Sequence, residues 1–338
     1  MKKITSFIIK CAAVSAAAIA LLLLLNHRYE KVMDQPYSDT EKFDFIGTSF
    51  TDIQICNIGS SHGEYDFTYG DLTDGYGYEC FNFALASQTF NYDYAIISMY
   101  QEYLADDCIM FIPVSYFSFN NEVTNEADAK NLSTKYYTFL SPKYVPDYDP
   151  YVDIVTHRLP ILSAGEELKR LFPKLSIKAE AADGEPSVDE FYQKALSRYQ
   201  RHMENKEEYF LQERIDNLYQ ILAFCQENNV TPVLVTPPYT SLYTDMVSDS
   251  FKEEFENTID QICADTGTSY YNYSEDYRFA QNLTLFSDAD HLNETGAAAF
   301  MYVIRQEIPE FKDFLANTPP AKDPIRSPDA VPASVSAN

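Results

Sequence analysis

Short apolar runs alternate with amphipathic segments from about residue 50 to residue 310. The runs that predict strands lie at residues 53–59, 78–85, 108–114, 232–236 and 269–273. Such an alternation is typical of a parallel sheet whose strands are joined by crossover helices. The pattern therefore predicts a fold of the α/β class.

Apolar residues at three- and four-residue steps predict the helices between these strands, because such positions share one helical face. Four stripes have this spacing: Ile96, Met99 and Tyr103; Leu211, Ile215, Leu218, Leu222 and Cys225; Phe251, Phe255, Ile259 and Ile262; and Phe300, Val303 and Ile304. We expect each stripe to face the sheet.

The amino terminus carries an apolar run from Cys11 to Leu25 in which only Ser15 is polar. No small-residue cleavage site follows this run, so an uncleaved anchor is favoured over a cleavable signal peptide. Cationic residues flank both ends, and the positive-inside rule gives only a weak orientation signal. We predict that residues 1–30 form a single-pass membrane anchor and that the acidic remainder lies outside the cytoplasm.

Two stretches do not follow the alternation. Residues 120 to about 205 are polar and proline-punctuated, and they are too long for an ordinary connection between strands. This stretch is interpreted as an inserted cap within a domain at residues 45–315. Residues 316–338 are rich in Pro, Ala and Ser, which predicts a disordered tail.

Charge and cysteine content exclude several classes of partner. The formal net charge is −26, and nucleic acids or anionic membrane surfaces require clustered Lys and Arg. The six cysteines contain no Cys-x-x-Cys pair and no histidine at ligand spacing, so neither a metal nor another cofactor is expected. Cys56 and Cys108 fall in predicted buried strands, where a thiol behaves as a small apolar group. One disulfide is possible, but the sequence selects no pair.

A serine follows the first predicted strand, where the chain reads Gly59-Ser60-Ser61-His62. Open α/β sheets bind ligands at the carboxyl ends of their strands, and N–H groups at such a turn can stabilise an oxyanion. Gly-Ser-Ser is also a common turn sequence, so this motif alone does not distinguish a catalytic serine from a turn residue. His62 is disfavoured as the base, because adjacent residues at a strand end point apart.

A second motif precedes the last predicted helix, where the chain reads Asp288-Ala289-Asp290-His291 and continues to Gly296. A carboxylate three residues before a histidine can orient the imidazole and favour the imidazolium that forms when it accepts a serine proton. Asp288 is favoured for this role, with Asp290 as the alternative. The acidic residues could also simply cap the helix.

Together the two motifs resemble the SGNH/GDSL hydrolase superfamily. The chain looks closest to its membrane-anchored members that handle acyl groups on envelope polymers, such as teichoic-acid D-alanyl transfer proteins. The resemblance implies a three-layer flavodoxin-like sandwich with a parallel sheet of about five strands. It also implies Ser61 as nucleophile, His291 as base and Asp288 as orienting carboxylate.

The family carries its site residues in short sequence blocks, and two of these blocks are altered in this chain. The second block normally supplies a glycine whose N–H donates to the oxyanion, but residues 82–88 contain no glycine, which leaves the Ser87 N–H as the expected oxyanion donor beside that of Ser61. The third block normally supplies an asparagine side chain after a strand; this asparagine is missing, and the Ser115 hydroxyl is the expected substitute. His62, Gln88 and Tyr239 are the expected substrate-binding residues.

The leading hypothesis is a serine-dependent acyl-ester hydrolase or O-acyltransferase that works through an acyl-serine intermediate. Its expected partner is an envelope polysaccharide or related polymer, acylated or acyl-accepting, and a membrane-bound acyltransferase is a second candidate. The alternative is a catalytically inactive, membrane-tethered binding module. The altered blocks favour that alternative, and the complete Ser, His and Asp set opposes it.

Overall fold

The computed structural model of the chain describes residues 2–33, 42–120, 134–146, 148–150, 159–163, 168, 171, 188–204 and 208–325. These residues form two compact units. One combines Met1–Asp44 with Asn125–Asp183, and the other combines Phe45–Thr124 with Gly184–Asn338. The predicted insertion is therefore divided between the units. Two residues of this insertion lie outside the described residues: Tyr151, a candidate for stacking on sugar rings, and His157, which the sequence predicts on the surface.

Five parallel strands form the sheet of the second unit, which confirms the predicted fold class. Their bounds are β1 Ile53–Asn57, β2 Cys80–Asn82, β3 Leu104–Pro113, β4 Thr231–Thr236 and β5 Ser269–Asn272. The order across the sheet is β2-β1-β3-β4-β5, which is the flavodoxin-like order of a doubly wound sheet.

The helices among the described residues are α1 Lys2–Met33 in the other unit and, in the sheet unit, α2 Ser61–Asp66, α3 Phe90–Tyr100, α4 Val188–His202, α5 Gln212–Glu227, α6 Ser241–Thr244, α7 Asp249–Thr266, α8 Glu294–Glu307 and α9 Pro309–Asn317. The helices of the sheet unit cover both faces of the sheet. Helix α5 contacts α3 and α7, and helix α8 contacts α2 and α9. The result is the predicted three-layer sandwich.

Alternating strand residues explain why both faces are covered. Ile55, Phe111 and Val233 point into one apolar cluster with Phe300 of α8. Their neighbours in sequence point to the opposite face, where Met110 meets Cys225 of α5. A strand that is buried on both faces reads as a continuous apolar run, and this is why the sequence pattern located the strands.

The first unit contains the amino-terminal helix. Its segment Lys3–Tyr29 has a mean hydropathy of 2.5 and is long and apolar enough to cross a membrane. Beyond the apolar part, Asn26 Oδ1 accepts the N–H of Ile161 at 3.1 Å, and Tyr29 packs with Ile161 and Leu171. The end of α1 thus holds part of the inserted segment, while the apolar part is a candidate membrane anchor.

Removal of residues 1–25 should give a protein that remains soluble without detergent and retains its α/β circular dichroism. The apolar helix contributes nothing to the core of the sheet unit, which is built from its own strands and helices. Asn26 and Tyr29 stay in place, so the inserted segment keeps its main contacts. Size-exclusion chromatography beside the full chain in detergent is the measurement, and aggregation of the shortened chain would show that the sheet unit needs the helix.

The carboxyl-terminal part of the sheet unit is ordered beyond the predicted limit. Where the sequence predicted disorder from residue 316, α9 continues to Asn317 and the chain then bonds to the sheet unit as far as Ile325. The Lys322 N–H donates to Gly77 O, and the Gln54 side chain bonds to Pro319 O and Ala321 N. Composition alone misses this segment, because its order comes from backbone hydrogen bonds. Residues 326–338 lie outside the described residues.

Candidate active site

The turn after β1 places Ser61 at the first position of α2. Gly59 has φ +116°, a conformation that side chains disfavour, and its N–H donates to the buried carboxylate of Asp93 at 2.7 Å. The side-chain amide of Asn57 donates to Gly63 O at 2.8 Å. A methyl group at Gly63 would collide with Ile58 O. The turn is thus fixed by a buried acid, an amide and two glycines.

The histidine lies in a loop that is closed on itself before α8. The Ser287 N–H donates to His291 O at 3.0 Å, and Asn293 caps α8 by accepting the N–H of Gly296 at 3.0 Å. A methyl group at Gly296 would collide with Leu285 O. This close approach explains why position 296 of the second motif requires a glycine.

Ser61, His291 and Asp288 meet at the carboxyl edge of the sheet. His291 Nε2 lies 2.7 Å from Ser61 Oγ, and His291 Nδ1 lies 2.9 Å from Asp288 Oδ2. Asp288 Oδ1 also accepts the His291 N–H at 3.0 Å, which holds the carboxylate against the ring. The distances fit the tautomer in which Nδ1–H donates to Asp288 and Nε2 accepts the serine proton.

The surroundings of His291 favour its charged form. Burial alone would lower its pKa, but the hydrogen bond with Asp288 and the charges of Asp290 and Asp288 together raise the pKa above the ordinary value of 6.5. An imidazole in such surroundings readily accepts a proton from a serine hydroxyl.

The alternative orienting residue, Asp290, lies in a different environment. Its carboxylate is completely buried and receives two hydrogen bonds from Arg198, Nε to Oδ1 at 2.7 Å and Nη2 to Oδ2 at 3.0 Å. Its Oδ1 is 3.7 Å from His291 Nδ1, beyond hydrogen-bond range. Burial would raise the pKa of Asp290, but His62, His291 and Arg198 hold it well below the usual range. Asp290 is therefore an ion-pair partner, and Asp288 is the carboxylate bonded to the ring.

Sequence reasoning missed Arg198 and misjudged His202. Both belong to α4, which lies inside the stretch interpreted as an irregular cap. The polar helical sequence around His202 predicts a surface position for it, but His202 is completely buried and its ring packs against Phe117 with centroids 4.0 Å apart. The detectable signal was the spacing of Phe191, Ala195, Arg198 and His202, which places them on one side of a helix.

The expected oxyanion donors occupy different positions. Ser61 begins a helix, so its N–H has no partner within that helix. Ser87 has φ +57° and lines a small cavity with Gly59 and Ser60. The Ser115 hydroxyl lies 2.5 Å from Nδ1 of buried His62. It is therefore hydrogen-bonded to His62 and does not serve as the expected oxyanion donor in this arrangement.

The three expected substrate-binding residues are mostly inside the protein. His62 and Tyr239 are completely buried, with ring centroids 5.2 Å apart, and do not reach the surface as placed. Gln88 lines the same small cavity as Ser87, and its amide donates to Asp93 at 2.6 Å. Contact between substrate and these side chains therefore has no direct support, and Gln88 instead helps to fix the carboxylate that binds Gly59.

His62, Asp290 and His291 lie close enough to suggest a metal site, with ligand atoms within 4.8 Å of one another. Both oxygens of Asp290, however, are bonded to the Arg198 guanidinium. A divalent ion there would lie against a fixed positive charge, so this donor set does not suit a metal.

Comparison with known proteins identifies a family whose model matches most of the chain. A family model described as DltD protein matches residues 84–306, a range that includes Arg198, Asp288 and His291 and begins after Ser61. No curated protein matches the sequence. A solved structure from Streptococcus pneumonia, assigned provisionally as a platelet activating factor, aligns with 10% identity and a TM-score of 0.42, covering 86% of this chain and 98% of that one.

Proposed function

The chain belongs to the DltD protein family, and on that basis we propose that it transfers acyl groups in the cell envelope through an acyl-serine intermediate. The family is involved in D-alanylation of teichoic acids. The proposed acyl group is accordingly D-alanyl, and the proposed acceptor is a hydroxyl of an envelope polymer. A membrane-bound acyltransferase is the proposed source of the acyl group.

The observation that carries this proposal is the chain of hydrogen bonds from Ser61 through His291 to Asp288. A serine hydroxyl is a weak nucleophile at its free pKa and needs an adjacent base, which in turn needs a group that orients it. All three parts lie at the carboxyl edge of a parallel sheet, the usual ligand position in such folds.

In the proposed first step, Ser61 Oγ attacks the acyl carbonyl as His291 Nε2 takes the hydroxyl proton. The oxyanion is stabilised by the N–H groups of Ser61 and Ser87. The bond from the carbonyl carbon to the donor's leaving atom then breaks, and His291 returns the proton to that atom. The acyl group remains as an ester on Ser61.

In the proposed second step, the acceptor hydroxyl gives its proton to His291 Nε2 and attacks the acyl-serine ester. The ester bond to Ser61 breaks, and Oγ regains the proton from His291. The two half-reactions are mirror images, so one base serves both.

The amino-terminal helix supports transfer over hydrolysis. A tethered site faces envelope polymers that are held at the same surface, so the effective concentration of acceptor hydroxyls is high. We place the sheet unit outside the cytoplasm, where such polymers occur, with α1 as the single membrane span.

Transfer and hydrolysis can be separated by product analysis. The full chain in detergent would be given a small activated D-alanyl ester, with and without an oligomeric glycerol phosphate acceptor, and D-alanylated oligomer and free D-alanine would be quantified. We expect the acceptor to divert most product into the oligomer. Free D-alanine as the sole product, at a rate that the acceptor does not change, would make the protein an esterase.

The second candidate is a catalytically inactive binding module. It is favoured by one observation, the engagement of the Ser115 hydroxyl with His62, which removes the expected third oxyanion donor. A fluorophosphonate probe distinguishes the two functions, because only an activated serine reacts. Failure of the folded wild-type chain to react would favour the binding module.

A further inference from the structure

An arginine from α4 lies beside the nitrogen that faces Ser61. Arg198 Nη2 is 3.2 Å from His291 Nε2, and the same ring nitrogen is 2.7 Å from Ser61 Oγ. The guanidinium and the hydroxyl therefore approach one ring nitrogen. A cation at this position acts on the atom that would carry the proton.

The ion pair with Asp290 fixes the guanidinium in this position. The planar fork of an arginine on a carboxylate, with two parallel N–H···O bonds, has a defined orientation. Asp290 is completely buried, and the side chain of Arg198 is only 19% exposed. Little freedom remains for Nη2 to move away from His291.

Acidic groups would otherwise dominate the surroundings of the ring. Asp288, Asp290 and Asp66 all favour the protonated form of His291. A ring that is already protonated cannot take the proton of Ser61. The site therefore needs a positive charge that opposes these three carboxylates.

Arg198 provides that charge, and the neighbouring histidines do not. His62 and His202 also face Asp290, at 3.5 Å and 3.8 Å. Burial lowers the pKa of both rings, so they are neutral at neutral pH. The Arg198 guanidinium stays protonated, and it offsets Asp290 while lying against His291 Nε2.

We propose that Arg198 is a positioning residue that opposes protonation of His291 before the reaction, by neutralising Asp290 and placing a fixed positive charge beside Nε2. The proposal rests on the proposed function in one respect, that His291 is the base of an acyl-transfer site. It assigns a role to α4, which lies in the stretch that the sequence predicted to be an inserted cap.

The direct test is a proton titration of His291 followed by NMR. The full chain in detergent would carry isotope-labelled histidine, and the signal of His291 among the five histidines would be assigned with His291→Asn. In Arg198→Met we expect the pKa of His291 to rise by about 1 to 3 units, because a like charge next to the ring is lost. Arg198→Lys, which keeps the charge, should give a smaller rise.

A pair of variants covers the case in which unpaired Asp290 prevents folding of Arg198→Met. Asp290→Asn and Asp290→Asn with Arg198→Met differ only in the positive charge, and neither contains a buried unpaired carboxylate at this position. We expect the pKa of His291 to be higher in the double variant than in Asp290→Asn alone. An equal pKa in these two proteins would overturn the proposal.

Labelling kinetics supply the functional readout. His291 must be neutral to accept the serine proton, so the rate of fluorophosphonate labelling should rise with pH through the pKa of His291. In Arg198→Met this rise should move to higher pH by the same 1 to 3 units. A labelling rate that falls equally at every pH, with an unchanged pKa of His291, would mean that Arg198 only supports the fold. If wild-type protein does not label at all, the proposed function fails, while the NMR titration still decides the effect of Arg198.

Discussion

Replacement of Ser61 by alanine should abolish the proposed acyl transfer, with turnover reduced on the order of 10⁶-fold, as for the nucleophile of known serine triads. Ser61 Oγ is the atom bonded to His291 Nε2, and alanine leaves no group there that could form an ester. Alanine is also compatible with the first turn of α2, so the fold should persist. Stopped assays with the D-alanyl donor and fluorophosphonate labelling both measure the loss.

The matched control is Ser60→Ala, one residue earlier in the same turn. The Ser60 side chain makes no capping hydrogen bond with α2, and we expect this variant to label at close to the wild-type rate. Labelling of Ser61→Ala at the wild-type rate would remove Ser61 from the mechanism, and loss of labelling in Ser60→Ala alone would move the nucleophile by one position.

Changes at the histidine and its carboxylate should form a graded series. His291→Ala removes the base and should cost about as much as loss of the serine, whereas Asp288→Asn should cost on the order of 10⁴-fold. The aspartate is bonded to Nδ1 and to the His291 N–H, so its loss disturbs the tautomer and the orientation of the ring. Labelling rates at constant pH give the series.

Asp260→Asn, at an exposed position of α7, is the control for a change of charge alone and should have no effect on the rate. Asp290→Asn leaves Arg198 without its partner, so we expect an altered pH profile and lower stability. A larger loss of labelling at Asp290 than at Asp288, measured at the optimum pH of each variant, would reassign the orienting residue.

The sheet could be predicted because its strands are buried on both faces. The fourth strand was expected at residues 232–236 and is observed as Thr231–Thr236. The third was expected from residue 108 but begins at Leu104. Asp106 and Asp107 are exposed at its start, and Asp107 has φ +67°. Two consecutive acidic residues predict a turn at this point, whereas the chain forms an irregular strand there.

The candidate site could be predicted only where local sequence carries its geometry. A serine after a strand and a histidine before a helix are each visible in a few residues. Arg198 contacts residues more than 90 positions away in the sequence. The sequence around α4 is polar, so it does not indicate a buried site residue. The burial of Tyr239 likewise depends on the packing of separate elements, and the local signal for His202 is limited to its helical spacing from Phe191 and Ala195.

The order of residues 318–325 has a consequence for how the sheet unit is joined to the rest of the chain. Lys322 Nζ donates to Ser49 O at 3.4 Å, so the beginning of the unit lies beside the last residues that the structure describes. A domain with neighbouring ends resembles a module that has been inserted at one point, and such domains tolerate circular permutation. A circular permutant in which a short linker joins residues near 325 to residues near 45, with new termini in a surface loop, should therefore keep the present arrangement of strands.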